Sequence, residues 1–244
     1  MAADAILTLE GVTGGYGRMT ILNGCSFAVA RAAITTVIGP NGAGKSTVFK
    51  AIFGMLPQLT GRILYEDRDI MGQTQAALLM SGICYVPQGR NLFPELSVAD
   101  NMELGAYALG SQAAMRPRVE QALDRFPVLR EKAAAQAGTL SGGQQKLLEI
   151  ARGLIAEPRL MLVDEPSIGL SPIMVKDLFR TLQGLRDGGM SILMVEQNAK
   201  SALEISDYGI VLETGRSRLV GTAASILGDK RVAKLFLGAE VDLD

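Results

Sequence analysis

The feature that most constrains the fold of this chain is a glycine-rich segment between a short β-branched run and an amphipathic pattern. It matches G-x-x-x-x-G-K-[ST] and consists of Gly39, Pro40, Asn41, Gly42, Ala43, Gly44, Lys45, Ser46 and Thr47. The run before it, residues 34–38, predicts a strand, and the residues from Lys45 onward predict a helix. In this context the glycines let backbone N–H groups turn around an anion, and the N-terminus of the helix points at the same place. The segment is therefore predicted to bind phosphates rather than merely to link a strand to a helix.

Two side chains at the end of this loop supply the matching chemistry. Lys45 adds a positive charge for the outer phosphates of a nucleotide. The hydroxyl of Ser46 is an oxygen ligand suited to Mg²⁺. The loop thus predicts a nucleoside triphosphate bound together with Mg²⁺.

A second candidate element is the apolar stretch 160–163, which ends in Asp164 and Glu165. An apolar strand of this kind is buried in a parallel sheet, and ligands bind at the carboxyl edge of such a sheet. Alone, an acidic pair after a strand is usually a solvated turn. Paired with the phosphate loop, it predicts that Asp164 completes the Mg²⁺ shell and that Glu165 orients the attacking water.

The third element opens a predicted amphipathic helix with Ser141, Gly142, Gly143 and Gln144. Ser141 and Gln144 stand at capping-box spacing, so one interpretation is a well-capped helix. The other is a second phosphate site, because two glycines at a helix N-terminus let an anion approach closely. Two phosphate sites with one set of carboxylates suggest that each nucleotide is shared between two subunits.

Composition excludes several other classes of function. The net charge is -1, so there is no basic excess for binding along a nucleic acid, and the absence of histidine removes imidazole bases and His-ligated metals. Two cysteines, Cys25 and Cys84, are too few for a disulfide framework, and their spacing is not that of metal ligands. We therefore expect both to be buried thiols in a reducing compartment. No apolar run approaches the ~18 residues of a membrane helix, and no leader pattern opens the sequence. We therefore expect a cytoplasmic protein whose membrane role depends on partners.

Periodicity predicts a sheet interrupted by a helical segment. Strands are predicted over 6–9, 26–30, 34–38, 61–65 and 83–86, with a single helix from Lys45 among them. Residues 97–155 show helical spacing, with Ser97 and Ser141 as candidate N-caps. Strand-helix alternation then returns, with strands over 160–163, 191–195 and 209–212 and helices over 172–185 and from Ala199. This alternation predicts a mainly parallel sheet covered by helices.

Taken together, the phosphate loop, residues 140–145, residues 160–165 and Gln88 within residues 86–90 resemble the ATP-binding cassette (ABC) ATPases over essentially the whole chain. Within that family, residues 86–98, 166–172, 195–199 and 235–238 look like the smaller ATPase subunit of bacterial branched-chain amino acid importers.

The resemblance implies the ABC ATPase fold: an α/β, RecA-like P-loop NTPase core with a mainly parallel sheet, an antiparallel β subdomain and an inserted α-helical subdomain. Residues 1–244 would form one ATP-binding domain. Its nucleotide-binding core would comprise residues 1–88 and 156–244, and its helical signature subdomain would comprise about 89–155.

The resemblance also implies roles for single residues. Tyr16 matches the aromatic residue that stacks on adenine, although an aromatic in a glycine-flanked turn is more often a packing residue. Gln88 matches the residue that senses Mg²⁺ and the γ-phosphate, and Ser141 to Gln144 would contact ATP from the opposite subunit. Residues 91–94, with apolar Leu92 and Phe93, would line the groove that receives a cytoplasmic helix of the permease.

Two positions depart from the pattern of many family members. Gln197 stands where many relatives carry a histidine that contacts the γ-phosphate, which predicts a slowed but active site with Glu165 and Gln197 as catalytic residues. Ser171 stands where many carry an aspartate that contacts the opposite subunit, which predicts weaker communication across the dimer.

The function that the resemblance implies is ATP hydrolysis that energises an importer, with branched-chain amino acids as the first substrate and urea or short amides as the alternative. The partners would be a second ABC ATPase subunit, related or identical, two membrane permease subunits and, indirectly, an extracytoplasmic solute-binding protein. The chain would lie on the cytoplasmic face of the bacterial inner membrane. A soluble ABC ATPase acting on DNA ends is disfavoured because only ~95 residues and no sustained heptads separate Lys45 from Ser141. A small-molecule phosphotransferase would leave residues 140–145 without a role.

Overall fold

The structure is a computed structural model, and it describes residues 4–107 and 112–232 of the chain. Ten strands lie in these residues: β1 Ala5–Tyr16, β2 Met19–Ala30, β3 Ile34–Ile38, β4 Gln58–Tyr65, β5 Arg68–Asp69, β6 Ile83–Val86, β7 Leu160–Asp164, β8 Ser191–Val195, β9 Tyr208–Glu213 and β10 Arg216–Thr222. They also form nine α-helices: α1 Lys45–Ile52, α2 Gln75–Ser81, α3 Val98–Ala106, α4 Gln112–Asp124, α5 Pro127–Glu131, α6 Gly142–Leu154, α7 Pro172–Asp187, α8 Ala199–Glu204 and α9 Ala223–Leu227.

The strands form two sheets. The first is antiparallel, with the order β2-β1-β4-β5, and the second has the order β10-β9-β3-β8-β7-β6. Within the second sheet every neighbouring pair is parallel except β9 and β10. Every residue of β3, β7 and β8 is buried, as expected of strands covered on both faces.

Side chains of the central strands alternate between two hydrophobic cores. From β7, Leu160 and Leu162 pack with α1 and the antiparallel sheet, whereas Met161 and Val163 pack with the helices of residues 98–185. Residues of β8 divide in the same way. This alternation is the period of two of a strand, so the parallel sheet is the layer between the two cores.

The predicted fold class is confirmed, with local corrections. A second helix, α2, interrupts the first 85 residues, where the sequence predicted only one. The first two strands are longer than predicted, and β10 was not predicted at all. The division into a core and a helical subdomain stays a prediction, and residues 235–238 lie outside the described residues.

Capping explains where the main helices begin. Ser97 and Ser141 cap α3 and α6, each in a reciprocal capping box with Asp100 and Gln144 respectively. Of the described helices, none is long and apolar enough to cross a membrane.

Candidate functional site

Four parallel strands deliver the candidate residues to one edge of the sheet. The phosphate loop follows β3, Gln88 follows β6, Asp164 ends β7, and Gln197 follows β8. Because the carboxyl ends of parallel strands meet at the same edge, residues far apart in sequence converge there. A cavity of about 500 Å³ at this edge is lined by Ile21, Asn41, Gly42, Gly44, Lys45, Ser46, Thr47, Gln88, Glu165, Ile168 and Gln197.

The phosphate loop needs its glycines. Gly42 and Gly44 have φ of 83° and 98°, a left-handed conformation that side chains with a Cβ rarely adopt. At Gly39 a Cβ would lie 2.2 Å from the carbonyl oxygen of Leu212. Gly44 is the N-cap of α1 and makes no side-chain capping bond, so the first N–H groups of the helix face the loop without a side-chain acceptor from the cap. This cradle has the backbone donors that a phosphate requires.

The Lys45 side chain is buried against the first residues of the phosphate loop. Its ammonium donates hydrogen bonds to the carbonyl oxygens of Gly39 at 3.0 Å and Pro40 at 3.2 Å. Two backbone acceptors of the loop therefore fix the position of the ammonium, and Lys45 also lines the cavity. A phosphate placed there would meet a charge that is already positioned.

Ser46 and Asp164 form the candidate Mg²⁺ site. The Ser46 hydroxyl donates to Asp164 Oδ1 at 3.1 Å, and the Tyr85 hydroxyl donates to Asp164 Oδ2 at 3.1 Å. Asp164 is only 2% exposed. Burial raises its pKa above the ordinary value, although the two hydroxyl donors and Lys50 and Lys45 oppose the rise.

This donor set fits Mg²⁺. A hydroxyl and a carboxylate are hard oxygen ligands, and Mg²⁺ is usually held by one or two carboxylates together with substrate phosphates and water. Within residues 4–107 and 112–232 no group of three or more His, Cys, Asp or Glu converges as a metal cage. A magnesium ion shared with a nucleotide needs no such cage.

Glu165 lies beside Gln88 in the same cavity. The Gln88 amide donates to Glu165 Oε2 at 2.9 Å. Glu165 has a φ of 44°, which is uncommon for a residue other than glycine, and its N–H donates to the carbonyl of Val195 at 2.9 Å. Glu165 thus lines the same cavity as the residues of the phosphate loop.

Gln197 lines the cavity, and a buried carboxylate fixes the turn that carries it. Glu196 accepts hydrogen bonds from the N–H of Gln197 at 3.1 Å and from the N–H and hydroxyl of Ser167 at 2.8 and 2.7 Å. Burial raises the pKa of Glu196, while these donors oppose the rise. Hydrogen bonds to Glu196 therefore connect the turn after β7, which carries Glu165, to the turn after β8, which carries Gln197.

The remaining predicted residues do not line this cavity. Ser141, Gly142, Gly143 and Gln144 are not among its lining residues, and Ser141 and Gln144 bond each other as a capping box. Tyr16 is exposed at the end of β1, with the Lys50 ammonium 5.8 Å from its ring centroid. The structure thus brings together the phosphate loop, Gln88, Asp164, Glu165 and Gln197, whereas the glycines that begin α6 do not line this cavity.

Sequence reasoning missed two residues of the site. Tyr85 holds Asp164, and burial together with the charge of Asp164 raises the pKa of the Tyr85 hydroxyl, so it remains a donor at neutral pH. The apolar sequence of β6 contains no pattern that would have identified Tyr85 as a site residue. Glu196 directly follows the apolar strand β8, just as Asp164 ends the apolar strand β7. An acidic residue at the end of an apolar strand could therefore have predicted Glu196 as well.

The sequence model described as ABC transporter matches residues 22–168. The high-affinity branched-chain amino acid transport ATP-binding protein BraG of Pseudomonas aeruginosa is 36% identical over 233 residues, covering 96% of this chain and 100% of that protein. The lipopolysaccharide export system ATP-binding protein LptB of Escherichia coli K12 is 32% identical, covering 98% of this chain and 100% of that protein. The crystal structure of a nucleotide-free ATP-binding cassette from an ABC transporter superposes with a TM-score of 0.87 at 28% identity, covering 96% of this chain and 100% of that one.

Proposed function

This chain belongs to the ABC transporter family as an ATP-binding, ATP-hydrolysing subunit, and from that premise we propose that it energises the import of branched-chain or other hydrophobic amino acids across the bacterial inner membrane. The observation that carries the proposal is the 36% identity to BraG over the full length of that protein.

In this proposal, different residues of the site bind the phosphates, hold Mg²⁺ and orient the attacking water. The loop N–H groups and Lys45 bind the phosphates of ATP, and Ser46, Asp164 and Gln88 hold Mg²⁺. Bound there, Mg²⁺ would neutralise charge that develops on the phosphate oxygens. Glu165 orients the attacking water, and Gln197 offers a neutral amide to the γ-phosphate.

A second ATPase subunit completes each site in this proposal. Ser141 caps α6 and Gly142 and Gly143 begin it, but none of the three lines the cavity of its own chain. A partner chain, related or identical, would bring the corresponding helix over the nucleotide. Tyr16 would then receive the adenine ring, and two permease subunits would take up the motion when the pair closes.

Reconstitution tests the transported substrate. The chain would be assembled with the permease and binding-protein products of the neighbouring genes in proteoliposomes that contain ATP. Uptake of radiolabelled leucine and isoleucine is expected, and Lys45→Ala is expected to abolish it. Uptake of urea instead would favour the alternative importer, and ATP hydrolysis without any solute uptake would contradict the proposal.

Lipopolysaccharide export is a second candidate because LptB matches at 32% identity over its full length. Adding purified lipopolysaccharide to the same complex distinguishes the two. Stimulation of ATP turnover by lipopolysaccharide, with no response to leucine-loaded binding protein, would replace the import proposal.

A further inference from the structure

Helix α6 carries a buried ion pair that the site described above does not use. Lys146 and Glu149 lie one turn apart on this helix and contact each other, and they are only 6% and 4% exposed. Burying two charges is costly, and apolar side chains of similar volume are often as stabilising or more so. The pair therefore calls for an explanation beyond packing.

Both members of the pair hold the backbone that follows Gln88. Glu149 Oε1 accepts the N–H of Asn91 at 2.6 Å, and the Lys146 ammonium donates to the carbonyl oxygen of Gly89 at 3.1 Å. The three residues 89–91 are thus held at both ends from the same helix. Gly89 has a φ of 90°, a left-handed conformation that favours glycine, immediately before the carbonyl that Lys146 contacts.

The held segment connects directly to the catalytic edge. The Asn91 side-chain amide donates to the carbonyl oxygens of Pro87 and Gln88, each at 3.3 Å. The Gln88 amide in turn donates to Glu165 at 2.9 Å. A continuous set of hydrogen bonds therefore runs from α6, through the backbone beside Gln88, to the residue that orients water.

We propose that Glu149, charge-balanced by Lys146, is a positioning residue for ATP hydrolysis that acts through Gln88. It fixes the backbone at residues 89–91, so the Gln88 amide stays against Glu165. Because α6 begins with Gly142 and Gly143, any displacement of these two glycines by ATP on the partner subunit is carried along the helix to Gln88. The inference rests on the ATPase assignment and on the proposed role of Gln88, and not on the identity of the transported solute.

Two double variants separate positioning from stability, with kcat measured on the assembled complex in the presence of Mg²⁺ and ATP and the melting temperature measured on the chain by itself. Lys146→Met with Glu149→Leu replaces both charges by apolar side chains, so we expect the melting temperature to stay close to that of the wild type. Lys146→Glu with Glu149→Lys keeps an ion pair but turns an ammonium toward the Asn91 N–H. In both we expect kcat to fall about tenfold with KM for ATP unchanged, because a small misplacement near the reacting centre affects turnover more than binding.

The exposed pair Asp177 and Arg180 on α7 has the same spacing and lies 3.0 Å apart, which makes it a matched control. Asp177→Asn with Arg180→Gln is expected to leave kcat unchanged. A reversed-charge variant with wild-type kcat would overturn the proposal, because the Asn91 contact would then be dispensable.

A double-mutant cycle with Gln88→Ala tests whether Glu149 acts through Gln88. We expect Gln88→Ala to lower kcat and the Lys146→Met, Glu149→Leu change to add little in that background. Losses that multiply, or a Gln88→Ala variant with normal kcat, would overturn the proposal. Loss of all turnover in Lys45→Ala would show that the ATPase assignment stands even then, so the two failures are distinguishable.

Discussion

At the scale of single residues, the proposed Mg²⁺-binding role of Asp164 conflicts with the stability of the fold. Its burial raises the pKa, so relative to the unfolded chain the fold favours the protonated acid. Its contribution to stability is therefore present below the unfolded pKa near 3.8 and is lost as the pH rises through the raised folded value. At neutral pH the ionised carboxylate lowers the free energy of unfolding.

Asp164→Asn is expected to raise the melting temperature at pH 7, because it removes a buried charge and keeps an oxygen acceptor for Ser46 or Tyr85. A gain of about 1 kcal/mol corresponds to roughly 2–4 °C for a chain of this size. Calorimetry across pH checks the sign, since the gain should shrink in acid, where the wild-type carboxylate is protonated. ATP turnover should be lost at the same time. A lower melting temperature at pH 7 would contradict this account.

Gln197→His is expected to raise ATP turnover about fivefold in the assembled complex. A charged donor contributes more than a neutral amide, and about 1 kcal/mol in the transition state corresponds to that factor. Gln197→Asn is the comparison, because it keeps a neutral amide but shortens the side chain. Equal or lower turnover in the histidine variant would show that the amide does not limit the reaction.

At the scale of elements, Ser171 has a measurable structural role as the N-cap of α7. Its hydroxyl accepts the N–H of Met174 at 3.5 Å, and the first turn of the helix contains no acidic residue. Ser171→Ala is expected to lower the free energy of unfolding by about 1 kcal/mol. Ser171→Asp is expected to raise it by about 0.3–1 kcal/mol, because a carboxylate interacts favourably with a helix N-terminus.

Urea unfolding measures both changes, and Ser171→Asn serves as a cap without charge. If Asp and Asn variants were equally stable, the helix dipole would not account for the effect. Higher ATP turnover in the aspartate variant would, in addition, support the proposed contact of this position with the opposite subunit.

Elements that are buried on both faces were predictable from sequence, whereas exposed ones were not. The apolar runs of β3, β7 and β8 predicted those strands to within one residue. The edge strand β10 alternates between exposed and half-buried residues, and in α2 only Leu78 is buried, so neither has an apolar pattern to detect.

The same distinction applies to the candidate site. The sequence predicted that Ser46 and Asp164 would lie close together. The loop that carries Ser46 follows β3 and Asp164 ends β7, and the carboxyl ends of parallel strands lie at the same edge of a sheet. The contacts of Tyr85 with Asp164 and of Glu149 with Asn91 depend on how distant elements pack, and no local spacing encodes them.

At the scale of the whole molecule, Phe93 is the candidate contact with the permease. Its side chain is 52% exposed, while its backbone is fixed by Asn101, which accepts its N–H and donates to its carbonyl, each at 2.9 Å. Phe93→Asp should therefore change the surface without moving the loop. We expect it to abolish co-purification with the permease subunits and to leave the melting temperature unchanged.

Val220→Asp is the matched control, because Val220 on β10 is also 52% exposed. It should co-purify with the permease as the wild type does. If Phe93→Asp assembled and transported equally well, the proposed contact surface would be wrong.

Side chains of β7 and β8 alternate between two hydrophobic cores, so the unfolding of these strands affects both cores. Neither strand can separate from its neighbours without opening both hydrophobic clusters at once, so the unfolding of this part of the sheet should open the two clusters together. Amide protons of residues 161–163 and 192–194 should accordingly exchange with deuterium at one common, slowest rate. These two strands thus couple two of the three hydrophobic clusters in the described residues, whereas the third, around Ile38 and Ile226, contains no residue of either strand.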